Sequence, residues 1–148
     1  HQCIELLLDR NANINALNNN NYTPLHRASL KGRHQCIEIL LDRNADANAR
    51  DNDNDTPLHR ASSKGRHQCI ELLLDRNADI NARNNNNNTA LHVASLNGRR
   101  QCIELLIDHG ADKTIINVRL LVLEMPSLRL IDAQSRNECR EIGAHQSR

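Results

Sequence analysis

Residues 51–55, Asp-Asn-Asp-Asn-Asp, alternate carboxylates and amides, which is how a calcium loop gathers oxygen ligands around a hard cation. An EF-hand loop needs a turn-forming glycine at its sixth position and a bidentate glutamate at its twelfth. Those positions hold Thr56 and Ser62, and the matching stretch one unit later, 84–88, contains no carboxylate. The segment is therefore expected to be a loop tip without a metal. Thiol chemistry is the next candidate. Cys3, Cys36, Cys69 and Cys102 recur at one position of a unit that advances by 33 residues. Layers of packed helices lie about 8–10 Å apart, beyond the ~7 Å Cα separation that a disulfide can span. Each cysteine is expected to be a small, reduced core residue. His34 and Cys36 stand two apart on a helix, point to different sides and make no zinc pair. Serine, histidine and aspartate occur as parallel rows. A nucleophilic site needs one convergence of nucleophile, base and orienting group, so no catalytic residue, metal ligand or cofactor is assigned.

The elements that would carry these residues are set by an internal repeat. HQCIE occurs at 1–5, 34–38 and 67–71, and RQCIE follows at 100–104; TPLH begins at Thr23 and Thr56, and TALH at Thr89. The chain has 148 residues, a net charge of +1, one tyrosine and neither tryptophan nor phenylalanine. A deep single core normally draws much of its buried area from aromatics. A core of Leu, Ile, Ala, Val and Cys suits thin stacked layers, as equal repeated units do. The charge balance argues against nucleic acid and against an anionic membrane as partners. No apolar run is long enough to span a bilayer.

One unit reads as two helices and a loop. In Thr56-Pro57-Leu58-His59 the threonine is a helix N-cap and proline takes the first helical position, where its missing N–H costs nothing. His59 can bond back to the cap. This first helix is expected to reach Lys64 and stop at Gly65. A second helix, Gln68 to about Arg76, carries Cys69, Ile70, Leu73 and Leu74 on one stripe. Asn11, Asn44 and Asn77 then stand where a left-handed cap belongs, with Gly110 in the fourth unit. His26, His59 and His92 are expected to brace the first turn and the neighbouring loop, while His1, His34 and His67 are expected to be exposed. The asparagine runs, 18–21 and 84–88, keep register with the repeat and read as loops.

The pattern TPLHxA, a glycine, a leucine-rich second helix and then (G/N)AD(I/V)NA resembles the ankyrin repeat over residues 1–117. Two features depart from it. Asn21, Asn54 and Asn87 replace the glycine of the finger turn, and Ser29, Ser62 and Ser95 replace the second alanine of the first helix. The resemblance implies an all-α solenoid of stacked helix-turn-helix units with short β-hairpin fingers. Its expected organisation is a partial repeat over 1–17 that holds only a second helix with an uncovered apolar face, as in a fragment of a longer array. Full repeats over 18–50, 51–83 and 84–116 follow, then a degenerate capping repeat over 117–148. In the last segment, 128–142 aligns with 91–105, and Cys139 falls on Cys102.

The resemblance also implies where a partner sits, since ankyrin fingers and first helices line one concave face. The units of this chain differ mostly there. The finger series are Leu17/Arg50/Arg83, Asn20/Asp53/Asn86 and Tyr22/Asp55/Asn88. The first-helix series are Arg27/Arg60/Val93, Leu30/Ser63/Leu96 and Lys31/Lys64/Asn97. Asp51, Asp53 and Asp55 are expected to form an acidic tip beside a basic row of Arg27, Lys31, Arg60 and Lys64, with Tyr22 and the arginines as anchors. The expected function is protein–protein recognition by a non-catalytic, monomeric scaffold or targeting segment. The unpaired thiols point to an intracellular compartment, cytoplasmic or nuclear. The alternatives are a ubiquitin-ligase adaptor acting through 117–148, whose stretch from Ser127 loosely resembles a SOCS box, a regulatory segment of a larger enzyme, and a structural spacer.

Overall fold

A computed structural model describes residues 2–113. Seven helices lie in that range: α1 (Gln2–Asp9), α2 (Pro24–Lys31), α3 (His34–Asp42), α4 (Pro57–Ser63), α5 (His67–Asp75), α6 (Ala90–Leu96) and α7 (Arg100–Asp108). The degenerate repeat expected over 117–148, with its SOCS-box alternative, lies outside the described residues, as does His1. Among the described residues no helix is long and apolar enough to cross a membrane.

The helices start where capping chemistry places them. Thr23, Thr56 and Thr89 each accept the amide of the histidine three residues on, and that histidine's ring returns a bond to the cap backbone. This reciprocal box satisfies amides that a helix start otherwise leaves bare. The second helices stop at left-handed residues. Asn44 and Asn77 have φ of 63° and 61°, and Gly110 has 84°. At the first of these, Ala45 N–H reaches back to the Leu40 carbonyl at 2.9 Å and Asn44 N–H to Leu41 at 3.0 Å. That pair is a Schellman motif, and asparagine supports it because its short amide side chain tolerates positive φ. Gly32 ends α2 in the same way at φ 71°, and there glycine has a second reason: a Cβ would lie 2.8 Å from the Arg66 side chain.

The first helices α2, α4 and α6 stack in one layer and the second helices α1, α3, α5 and α7 in another. Leu25, Leu58 and Leu91 from the first layer meet Ile37, Leu40, Ile70, Leu73, Ile103 and Leu106 from the second, all at most 1% exposed. Fully burying each of these side chains contributes about 2 kcal/mol. Ala28, Ala61 and Ala94, also buried, let the layers approach closely.

Three expectations change. The first helix of the middle unit ends at Ser63 and its second begins at His67, each one residue earlier than the pattern suggested. No residue between 2 and 113 lies in a strand, so the fingers are turns rather than β-hairpins. The physical reason is local: Asp51 Oδ1 accepts the amides of Asp53 and Asp55 at 2.9 and 3.0 Å, removing donors that a ladder would need. The cysteine row is also uneven. Cys69 and Cys102 are buried, Cys36 is half-buried and Cys3 is exposed on α1, which packs chiefly on α3 and exposes Leu6 and Leu7. Burial pushes the Cys69 thiol up to about 11 and raises Cys102 as well, so both are poor nucleophiles.

The serines that replace alanine leave a mark. Ser29 and Ser62 hydroxyls are buried with no hydrogen-bond partner among the described residues, whereas Ser95 Oγ donates to the Leu91 carbonyl at 2.8 Å. Ser62→Ala is expected to raise unfolding free energy by about 1 kcal/mol, because it removes an unpaired buried hydroxyl and improves helix propensity. Ser95→Ala, which loses a bond for the same propensity gain, is expected to change little. Urea melts of the two variants compare them directly, and equal shifts would contradict the assignment.

Candidate partner-binding face

The fingers are built on one recurring device. Asn18, Asp51 and Asn84 each turn a side-chain oxygen onto the amides two and four residues later, at 2.9–3.0 Å. Asn21, Asn54 and Asn87 then take φ of 57°, 61° and 61°, where a finger glycine was replaced. Neighbouring fingers are joined by single backbone bonds, Asn52 N–H to the Asn20 carbonyl and Asn85 N–H to the Asp53 carbonyl. Side chains add to them: Arg50 Nη1 donates to the Asn54 and Arg83 carbonyls, and Asn84 Nδ2 donates to Asp55 Oδ1 at 2.8 Å.

The capping histidines tie each first helix to the next finger. His26 Nε2 lies 3.0 Å from the Asp55 carbonyl and His59 Nε2 lies 2.9 Å from the Asn88 carbonyl. These Nε2–H donors leave Nδ1 unprotonated, which suits its contacts with the Thr23 and Thr56 amides at 3.2 Å. Burial holds both imidazoles below the ordinary histidine value, only partly offset by the backbone bond and by nearby Asp charges.

The middle finger holds the densest charge. Arg60, from the first turn of α4, places Nη2 2.7 Å from Asp51, 2.9 Å from Asp53 and 3.4 Å from Asp55, and Nε donates to Asp51 at 2.8 Å. The Arg60 side chain is 17% exposed, Asp51 0% and Asp55 13%, while Asp53 is 74% exposed. Burial opposes the guanidinium charge, but hydrogen bonds to Asp51 and Asp53 outweigh it and raise the Arg60 pKa. The guanidinium carbon also sits 4.9 Å from the Tyr22 ring centroid, and Tyr22 stacks on His26 at 5.7 Å. The three carboxylates are close enough to share a cation. Asp51 Oδ1 is already taken by two amides and Oδ2 by Arg60, so the positive charge in this cluster is the arginine's own.

This geometry divides the expected face. Arg60, Asp55 and the Tyr22 ring, expected to present themselves to a partner, are largely committed to one another. The acidic tip and Arg60 form one ion-paired cluster, because a desolvated carboxylate recruits the nearest guanidinium, and three carboxylates around one guanidinium leave the cluster acidic. Ser63 Oγ donates to the Arg60 carbonyl and the Asn88 carbonyl meets His59. Leu17, Asn20, Arg27, Arg50, Asp53, Arg83, Asn86 and Leu96 are exposed, and Leu30 and Val93 are half-buried. Lys31, Lys64 and Asn97 are exposed too, but at the far end of the first helices, about 10 Å from the fingers at 1.5 Å per residue. Sequence reasoning places Asp51 only in an acidic tip and gives Asn84 no part in the face, whereas both form the finger turns. Their signal was available in the alternation of Asn or Asp at positions 18, 51 and 84, which is the side-chain turn itself.

A family model of ankyrin repeats in three copies matches residues 43–117, and a model of ankyrin repeats in many copies matches residues 6–61. A comparison with curated proteins finds no match.

Proposed function

Because the chain belongs to the ankyrin repeat family, we propose that it is a non-catalytic recognition segment that binds a protein on the exposed residues of its fingers and first helices. Ankyrin repeats are protein–protein interaction modules in general. The observation that carries it is a division of labour within the repeat. The frame positions, the Thr cap and the Leu, His and Ala of the first helix, are alike in each unit and buried, except that His92 is half-buried. The exposed positions Leu17/Arg50/Arg83, Asn20/Asp53/Asn86 and Arg27 change from unit to unit. In this reading the chain acts as a monomer in a reducing compartment, cytosol or nucleus, that keeps its cysteines free.

A crosslinking capture from cell lysate tests the face. The intact chain is compared with one carrying Asn20→Ala, Arg27→Ala, Asp53→Ala and Asn86→Ala, after urea melts confirm similar stability. These sites avoid the Arg60–Asp51 pair, so folding is expected to survive. A protein crosslinked to the intact chain, not to the variant, and captured less when crosslinking is carried out at higher salt is the expected result. Capture of the same proteins by both would remove the fingers from the function.

A further inference from the structure

The turns between paired helices gather positive charge on an edge distinct from the fingers. Segments 31–37, 64–70 and 97–103 carry Lys31, Arg33, Lys64, Arg66, Arg99 and Arg100, and no aspartate or glutamate. All six are exposed. Arg100 pairs with Glu104, while Lys31, Arg33, Lys64, Arg66 and Arg99 form no ion pair among the described residues. The chain as a whole carries only +1, so the rest of the sequence is net negative.

The arginines of the edge are also ordered. The Arg66 side chain lies over Gly32 and that of Arg99 over Gly65, where a Cβ would come within 2.8 and 3.0 Å of them. Arg99 Nε further donates to the Ser63 carbonyl at 3.2 Å. Each guanidinium is thus laid along the stack, one per repeat, with less rotamer freedom to lose on binding. Arg33, Arg66 and Arg99 are the N-caps of α3, α5 and α7, and none makes a side-chain cap bond. The partial positive charge of each helix start therefore adds to the edge. An open cleft of about 290 Å³, lined by Gly32, Arg33, His34, Gln35 and Cys36, lies at the first of them.

The pitch of the row selects a ligand geometry. Repeats advance by about 8–10 Å, the spacing of packed helices. A polyproline-II chain rises 3.1 Å per residue with three residues per turn, so its every third side chain returns to one face about 9 Å further on. A β-strand returns a side chain to one face every two residues, about 7 Å, and falls out of step. Nucleic acid phosphates, one per ~3.4 Å of each strand, are much denser than this row could pair. We infer that this edge is a second docking surface, for an acidic polyproline-II segment bearing a carboxylate at every third residue.

The test is a fluorescence-anisotropy titration of the intact chain against a labelled peptide of repeated Glu-Pro-Pro. A control peptide of equal composition carries its glutamates in one block. The repeated peptide is expected to bind about tenfold more tightly than the control and to weaken with salt. Arg33→Gln, Arg66→Gln and Arg99→Gln together are expected to lower its affinity at least about tenfold. The four-residue finger variant leaves it unchanged, which separates this edge from the proposed face. If loss of the Arg66 and Arg99 contacts unfolds the triple variant, Lys31→Gln with Lys64→Gln, at exposed helix ends, is expected to show a smaller loss of the same kind. No binding at low salt, equal binding of the two peptides, or tighter binding of a single-stranded oligonucleotide through the same arginines would each overturn the inference.

Discussion

Asp51→Ala is expected to cost about 3 kcal/mol of folding stability, and Asp53→Ala less than about 1 kcal/mol, although both carboxylates contact Arg60. The difference lies in burial and in bond count. Asp51 has a fully buried side chain, holds two finger amides with one oxygen and takes two Arg60 bonds with the other. Its removal leaves a mostly buried guanidinium short of its nearest counter-charge and frees two amides. Asp53 sits in water, where screening and side-chain entropy leave little net gain. A loss of about 3 kcal/mol is a large share of the 5–15 kcal/mol that holds a typical domain folded. The chain supplies its own control. The third unit has Asn84 and Val93 where the middle unit has Asp51 and Arg60, and Asn84 makes the same two side-chain turn bonds without a charge. Asp51→Asn combined with Arg60→Val is therefore expected to cost about 1–3 kcal/mol less than the sum of the two single changes. Urea melts measure all of these, and equal losses for Asp51→Ala and Asp53→Ala would show that the cluster carries no buried pairing energy.

Acid is expected to destabilise the stack below about pH 6.5, well above the range in which carboxylates protonate. His26 and His59 are held neutral by burial, with folded pKa values below the ordinary 6.5. The unfolded chain takes up their protons first as pH falls, so folded stability is complete above pH 6.5 and declines below it, until the folded pKa values are reached. The slope is at most about 1.4 kcal/mol per pH unit for each histidine, or about 2.7 for the two together. Geometry adds a reason for the sign. A proton on Nδ1 would confront the Thr23 or Thr56 amide that now donates to it, and would break the capping box. Finger attachment would weaken with it, because the same rings hold the Asp55 and Asn88 carbonyls. His59→Gln is expected to lower stability at neutral pH and to remove about half of the slope. Melting temperatures between pH 7.5 and 5 test this, and an unchanged slope in the variant would assign the acid response to other groups.

Much of the architecture was legible because its determinants are local. A Thr-Pro-Leu-His start, a Gly or Asn stop and an apolar stripe are each contained in about ten residues, and a 33-residue period repeats them. The bracing role of His26 and His59 was legible for the same reason, since a cap and its third residue are always neighbours. The partner face was less legible. Exposure in a series such as Arg27/Arg60/Val93 depends on what the finger places opposite each residue, and the finger's conformation depends on which amides its side chains capture.

By itself the sequence determined that the chain is a stack of helix pairs, where the helices begin and end to within about a residue, which leucines and isoleucines fill the layers, and that its frame repeats. These follow from short-range sterics and capping bonds, whose partners are close along the chain. Tertiary structure alone decided that the Asp51, Asp53 and Asp55 tip is ion-paired from within by Arg60, that Cys3 and Cys69 share a motif but not an environment, and that Arg66 and Arg99 lie along the glycines of the preceding turns. Each of those outcomes turns on desolvation and on neighbours brought from another helix or another repeat. Two identical motifs then behave differently, because the energy of a charge or a thiol is set by the volume around it.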